Sequence, residues 1–309
     1  MSIYKQNGQK LASLKEKRID LEKTVQGLVE ANLEDVFGLE FINSEFALNN
    51  LRIDTLAFDE ETNAFVVIEY KRDKSFSVVD QGYAYLALLL NNKADFVLEY
   101  NEKCRKNLRK DDIDWSQSRI IFVAQSFTRY QQEAMGFRDL PIELWEVRQY
   151  EEDVILFNEL RASEKSESIK TVSKGKDVDK VTTEIKQYSV GDHIKPEWKE
   201  TRELFEELLS QTQQLDPRFE ARPVKSHIGF RLTDKSGNVF NVSPAKSKVR
   251  VDLLRTRPQD VKDPENRVKY LESSFKNWNQ HVSTVSIVNP DDIDYVMTLI
   301  KQVYMRFVE

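Results

Sequence analysis

The sequence predicts an α/β lobe built on a mixed central sheet, followed by a smaller α+β domain. Three observations carry that prediction. Short apolar runs between residues 41 and 160 are interleaved with helical periodicity, the pattern of a sheet covered by helices. Residues 162–187 (ASEKSESIKTVSKGKDVDKVTTEIKQ) carry few large apolar side chains and many Ser, Lys, Glu and Thr, a linker composition. Beyond Tyr188, strand-like runs follow one another between two amphipathic helices, which reads as an antiparallel sheet with helices on one side. With 309 residues and 40% hydrophobic content, the chain has material for two cores. The expected organisation is residues 1–161, a polar linker 162–187, and residues 188–309.

In chain order, Gln9 to Phe37 reads as helical. Leu11, Leu14, Ile19, Leu21, Val25, Leu28, Val29, Leu33 and Val36 recur three or four apart, and Gly38 is a stop signal. Phe41–Leu48 is a first strand. Leu51–Phe58 and Ala64–Lys71 form a β-hairpin around the polar connector Asp59–Asn63. A polar loop, Arg72 to Ser77, leads to a helix over Val78–Asn91. Ala94–Tyr100 and Arg119–Ala124 read as short buried strands. Between them, Cys104–Lys110 (CRKNLRK) reads as a basic helix, either a phosphate contact or a solvated face. Phe127–Gly136 is a helix, and Ile142–Val147 and Val154–Leu160 extend the sheet.

In the second domain, Lys195–Gln214 is an amphipathic helix with Trp198, Leu204, Phe205, Leu208 and Leu209 in one stripe. Glu220–Val224, His227–Leu232, Val239–Ser243, Lys248–Leu253 and Val282–Val288 are strands, with Lys235–Asn238 a hairpin turn. Asn289-Pro290-Asp291-Asp292 supplies a cap residue, a proline and first-turn acids for a last helix, Pro290–Phe307. Ile293, Val296, Met297, Ile300, Val303 and Tyr304 are its inward positions.

Charge and motif content exclude several function classes. A single cysteine, Cys104, cannot form an internal disulfide, which fits a reducing cytoplasm. The N-terminus lacks the apolar stretch of a signal peptide, and the longest apolar run is too short to cross a bilayer. His193, His227 and His281 are isolated, without metal-ligand spacing, and no Walker A, GxGxxG or GxSxG motif occurs. The net charge is −6, yet Arg222 to Tyr270 holds twelve Lys/Arg against five Asp/Glu, so a basic segment stands beside an acidic lobe.

The chemistry concentrates in the first hairpin. Asp54 interrupts its first strand; Glu69 and Lys71 interrupt a second that is otherwise apolar. Side chains in a strand alternate with period two, so Glu69 and Lys71 project to one side, where Asp54 can meet them. Such a cluster is costly to bury unless it is paired or binds a metal. The spacing alone leaves a merely solvated strand face equally open. Glu30 and Glu34 lie four apart, on one helical face that can lean over the hairpin, and Gln81 and Tyr85 are likewise four apart. Ordinary surface carboxylates and a core tyrosine are the plain alternatives.

Taken together, Asp54, Glu69-Tyr70-Lys71 and Gln81-Gly82-Tyr83-Ala84-Tyr85 resemble the PD-(D/E)xK nuclease superfamily, with Ile53 standing where the superfamily name has proline. The resemblance implies a restriction-endonuclease-like fold for the first domain and metal-dependent hydrolysis of phosphodiester bonds. Asp54, Glu69 and the Tyr70 backbone carbonyl would hold Mg²⁺ or Mn²⁺, with Glu34, or Glu30 in its stead, completing the site. Lys71 would act on the attacking water or the developing charge, Gln81 would orient the DNA backbone or the lysine, and Tyr85 would support it. DNA is the implied partner, RNA a second candidate, and a homodimer would suit cutting of both strands. A non-cleaving nucleic-acid-binding or protein-interaction module on the same fold is the alternative. The tail (YSVGDHIK, RELFEELL, RPVKSHIGFRL, NPDDIDYVMTLIKQVY) resembles a small bacterial domain of unknown function found in proteins labelled "predicted transport protein". Its basic segment is expected to bind DNA or a partner.

Overall fold

The computed structural model describes residues 2–17, 19, 22–72, 77–134, 141–160, 184–275 and 280–309. The chain separates into two compact units, residues 1–186 and 187–309. The core of the expected loop over 72–77, the end of the helix expected over 127–136 and most of the expected linker 162–187 lie outside the described residues. Of the four linker residues that are described, 184–187, the first three pack on the first unit. Ile185 is buried in its core, and Glu184 pairs with Lys93 at 2.6 Å.

The first unit opens differently from the single helix expected over 9–37. β1 (Ile3–Asn7) and β2 (Lys10–Leu14) form an antiparallel hairpin, and β3 (Glu16–Lys17) joins the main sheet. Gly8 makes the tight turn, with φ of 63° that a side chain would disfavour. Helix begins only at α1 (Glu22–Glu30), breaks at Ala31-Asn32, and resumes as α2 (Leu33–Phe37), closed by Gly38. Leu11, assigned to the helical stripe, is 66% exposed. The apolar spacing was therefore coincidental across the hairpin and genuine only from Val25 onward.

β4 (Glu40–Leu48), β5 (Leu51–Asp59) and β6 (Ala64–Lys71) form an antiparallel meander, and β6 pairs in parallel with β7 (Arg119–Ala124). A parallel pair needs a crossover, supplied by α3 (Val78–Asn91) and α4 (Lys93–Cys104). After α5 (Arg129–Ala134), β8 (Ile142–Tyr150) adds in parallel to β7 and carries β3 and β9 (Ile155–Leu160). The result among the described residues is a seven-stranded mixed sheet with helices packed on it. β6 and β7 are central; β6 is apolar up to Glu69 and Lys71 near its end, and β7 is apolar after its first residue, Arg119. On one face, Phe58, Phe65, Val67 and Phe122 pack with α3 and α4; on the other, Val66, Ile68, Tyr70 and Ile121 pack with α1 and α2.

Two sequence expectations fail here. Ala94–Tyr100 is not a strand but the body of α4, which buries Phe96, Val97 and Tyr100 and leaves Leu98 58% exposed. A strand would have buried 96, 98 and 100; the observed set has helical spacing. Cys104–Lys110 is not a basic helix, because Arg105 takes a left-handed conformation that ends α4. Short 3₁₀ turns follow, at Lys110–Asp112 and Trp115–Gln117.

The turn end of the β5–β6 hairpin is pinned by a buried ion pair. Asp59 Oδ1 accepts the amides of Glu61 and Thr62 at 3.0 Å, and Oδ2 accepts Arg119 Nη1 at 2.8 Å. Arg119 Nε also lies 2.8 Å from Glu143 Oε1. Arg119→Met should destabilise the protein by about 3 kcal/mol, since it strands buried carboxylate charge. Urea unfolding measures this, and a loss under about 0.5 kcal/mol would mean the pair is replaceable by packing.

In the second unit, α6 (Val190–His193) and α7 (Lys199–Leu215) precede β10 (Phe219–Pro223), β11 (Ile228–Leu232), β12 (Asn238–Ala245) and β13 (Lys248–Leu254). β14 (Lys269–Tyr270), β15 (Val282–Ile287) and α8 (Asp291–Val308) complete it. The sheet is antiparallel in the order β10-β11-β12-β13-β15-β14. Leu204, Phe205 and Leu208 of α7 and Val296, Ile300 and Val303 of α8 pack on Phe230, Phe240 and Val251. Leu299, absent from the expected inward set, is also buried. At the start of α8 the Asn289 side chain makes no cap; Asp292 Oδ2 instead accepts the amides of Val288 and Asn289.

Candidate active site

The register of β5 and β6 runs from Asp59–Ala64 at the turn to Thr55–Ile68 and stops there. One step further, side chains replace the ladder. Glu69 Oε1 accepts the Asp54 amide at 3.2 Å, and Asp54 Oδ2 accepts the Tyr70 amide at 3.0 Å. The two carboxylates thus bridge the strands where they separate, each satisfying an orphaned backbone donor. Lys71 Nζ donates to Glu69 Oε2 at 3.1 Å. The structure therefore brings Asp54, Glu69 and Lys71 together, at the strand end away from the turn.

Burial sets the electrostatics. Glu69 is 1% exposed. Desolvation first, and then the Asp54 charge, push its pKa up to about 7, against the opposing pull of Lys71. Asp54 is also raised, chiefly by burial, with Tyr70 N–H and Lys71 working against the rise and Glu45 adding to it. Neither carboxylate is comfortable as a bare anion.

α3 supplies the next partners. Tyr85 packs on the core and donates its hydroxyl to the Arg52 carbonyl at 3.0 Å. Burial, and then the neighbouring Glu69, raise its phenol above the ordinary range. Gln81 lies one turn earlier, its Oε1 buried with no hydrogen-bond partner among the described residues. Gly82 lets α3 approach the sheet closely, because a Cβ there would sit 2.3 Å from Ile142 Cδ1.

The helical glutamates are not equivalent. Because the chain breaks at Ala31-Asn32, Glu30 and Glu34 do not share one helix face, and the preference for Glu34 loses its basis. Glu34 is exposed on α2. Glu30 Oε1 accepts Thr55 Oγ1 at 2.6 Å and Gln26 Nε2 at 3.0 Å, and Gln26 also donates to the Asp54 carbonyl at 2.9 Å. Thr55 Oγ1 lies 3.2 Å from the Tyr70 hydroxyl. Glu30 thus reaches the strands beside the cluster through a buried network.

Sequence reasoning missed Gln26 and Thr55, ordinary polar residues of α1 and β5 that match no motif. It also missed Glu45, a strand residue with φ of 57° whose carboxylate lies 2.7 Å from Arg52 Nε. A shallow hollow beside the strand ends is lined by Glu22, Tyr70, Lys71, Arg72 and Gln125, among others.

Among the described residues, no three His, Cys, Asp or Glu side chains are grouped to enclose a metal ion. Two carboxylates are nevertheless a donor set that suits Mg²⁺, which keeps waters and binds through one or two carboxylates plus substrate phosphate. The paired, pKa-raised Asp54 and Glu69 fit such an ion: a divalent cation would relieve their repulsion and displace the proton that Glu69 holds near neutrality. Among the described residues no helix is long and apolar enough to cross a membrane.

Residues 190–306 match a family described as a domain of unknown function (DUF5655). Over 303 residues the chain is 40% identical to a Haemophilus influenzae protein described as uncharacterized, covering 98% of this chain and 99% of that one. Two solved structures are similar over part of the chain. One is a repair endonuclease from Pyrococcus abyssi, with 21% identity, a TM-score of 0.25, and coverage of 43% of this chain and 50% of that one. The other is an EndoMS–dsDNA2 complex, with 19% identity, a TM-score of 0.25, and coverage of 42% and 47%. The chain thus spans about half the length of those two structures, and the site rests on its own residues.

Proposed function

The chain belongs to the family of the Haemophilus influenzae protein, and we propose that it is a metal-dependent endonuclease that hydrolyses DNA phosphodiester bonds. The observation that carries this reading is the convergence of Asp54, Glu69 and Lys71 where β5 and β6 part. Bridging the two amides needs only neutral acceptors. Here a buried Glu69 and a half-buried Asp54 are used although burial resists the ionisation of both, the signature of a functional rather than a merely structural pair.

Asp54, Glu69 and the Tyr70 carbonyl would hold Mg²⁺ or Mn²⁺. When bound, the ion supplies acidification of water and polarisation of the scissile phosphoryl oxygen. Lys71, fixed by its bond to Glu69, places an ammonium where an attacking water is oriented or where charge develops on the phosphate. Gln81 carries a buried, unpartnered amide oxygen on the first turns of α3, able to orient the lysine or a water. Tyr85 and the Gln26–Glu30–Thr55 network fix the backbone on either side of Asp54. In this reading Glu30 replaces Glu34 as the supporting helical acid.

The test is calorimetric titration of Mn²⁺ and Mg²⁺ together with cleavage of single- and double-stranded DNA, on wild type and Asp54→Asn. Cation-dependent cleavage by the wild type, with both cleavage and cation binding lost in the variant, is the expected result. DNA bound but left intact in every cation would instead support a non-cleaving module. Equal cleavage by both proteins would remove Asp54 from the site.

A further inference from the structure

We infer that two lysine-bearing turns at one end of the second unit's sheet bind the phosphate backbone of nucleic acid. The pairs Pro223–Ile228 and Ala245–Lys248 close the β10–β11 and β12–β13 turns, and Ile228 stands opposite Val242, which stands opposite Val251. Antiparallel pairing therefore places both turns at the same end of adjacent strands. Lys225, Lys246 and Lys248 are exposed there, and none makes an ion pair with a described residue. Ala221 to Thr233 and Lys235 to Val251 contain no Asp or Glu at all.

The opposite end of the same sheet differs. There Arg218 is held by Asp216 and Asp234 at 2.6 and 2.7 Å, and Lys235 Nζ donates to the Phe307 and Val308 carbonyls. Cations that serve the fold are tied down, and the three lysines at the turns are not. Acids do occur near the turns, in the first turns of the helices: Asp192 of α6, Glu200 of α7, and Asp291 and Asp292 of α8. Asp192 stands beside the His193 that contacts the Val224 carbonyl and is itself bonded to Ser189. Asp292 is taken up by Arg267 and two backbone amides. A solvated lysine rim is the plain alternative. Against it stands the complete exclusion of carboxylates from two separate segments that the fold brings side by side. A polyanion with regularly spaced charges is the partner such a rim complements. The choice of nucleic acid among polyanions rests on the phosphodiester reading of the first unit.

The experiment uses the full chain carrying Asp54→Asn, so that DNA stays intact, and measures binding to a labelled duplex at about 50 to 200 mM salt. Adding Lys225→Gln, Lys246→Gln and Lys248→Gln should reduce the slope of log affinity against log salt by about 2 to 3 and weaken binding at least tenfold at the low-salt end. Lys262→Gln with Lys301→Gln, on the far side of the unit, should leave both unchanged. An unaltered slope in the triple variant, or no DNA binding by the parent at low salt, would overturn the inference. If the wild type binds through these lysines but never cleaves, the inference stands and the endonuclease reading falls. If it cleaves and the triple variant binds as the parent does, the reverse holds.

Discussion

Lys71→Met is expected to slow DNA cleavage at saturating divalent cation by roughly 10²- to 10³-fold, equivalent to about 3–4 kcal/mol of transition-state stabilisation. Lys71 Nζ bonds one oxygen of Glu69, while the other oxygen of Glu69 holds the Asp54 amide. The ammonium is thereby fixed beside the carboxylates without being one of the cation's ligands. Methionine keeps most of the volume and removes the charge, so the strand should fold as before. Cation affinity should hold or rise, because the ammonium that competes for Glu69 has gone. That combination, binding kept and turnover lost, separates Lys71 from Asp54, whose Asn variant is expected to lose both. Single-turnover cleavage alongside calorimetry reads the difference. Cleavage at the wild-type rate by Lys71→Met would show that the lysine serves only to pair Glu69.

How much of this was legible beforehand depends on what each residue competes with. The β5–β6 hairpin and α3 were read with nearly their observed bounds, because charges inside a buried strand and a continuous apolar helix leave few alternatives. Asp54, Glu69, Lys71 and Tyr85 stood out for the same reason. The N-terminal hairpin did not, since Leu11 and Leu14 fall by chance on the period of α1, and the Asn7-Gly8 turn went unread. α4 was lost because seven apolar-rich residues look alike as strand or helix until burial picks 96, 97 and 100.

The choice between Glu30 and Glu34 turned on a helix break at Ala31-Asn32 that carries no proline or glycine. Gln26 and Thr55 reach the site through tertiary contacts, to residues 18 and 28 positions away in Gln26's case and 15 and 25 in Thr55's. No local pattern encodes such contacts. Motif reasoning finds residues whose type is improbable where they stand; it passes over residues of ordinary type in decisive places.

Glu69→Gln is expected to make the cation-free protein more stable at pH 8 and to abolish its response to divalent cation. Glu69 titrates near 7 in the folded protein against an ordinary value of 4.5. A carboxyl whose folded pKa is raised binds its proton more tightly when folded, so the sign is fixed. The contribution it makes to stability is fully present below about pH 4.5 and is lost as pH rises through about 7. The shift corresponds to about 3 kcal/mol once the group is fully ionised. Glutamine can still accept the Asp54 amide and carries no charge to desolvate, so the variant should escape that loss.

At pH 5 the two proteins should differ little; at pH 8 the variant should melt several degrees higher. Mg²⁺ or Mn²⁺ at about 100 times its dissociation constant should add about 2.7 kcal/mol to the wild type and almost nothing to the variant. Thermal unfolding at the two pH values, with and without cation, contains the whole test. Parallel pH profiles for the two proteins would mean that the folded state tolerates ionised Glu69 without a cation. The electrostatic case for a metal at this hairpin would then fail, whatever the cleavage assays returned.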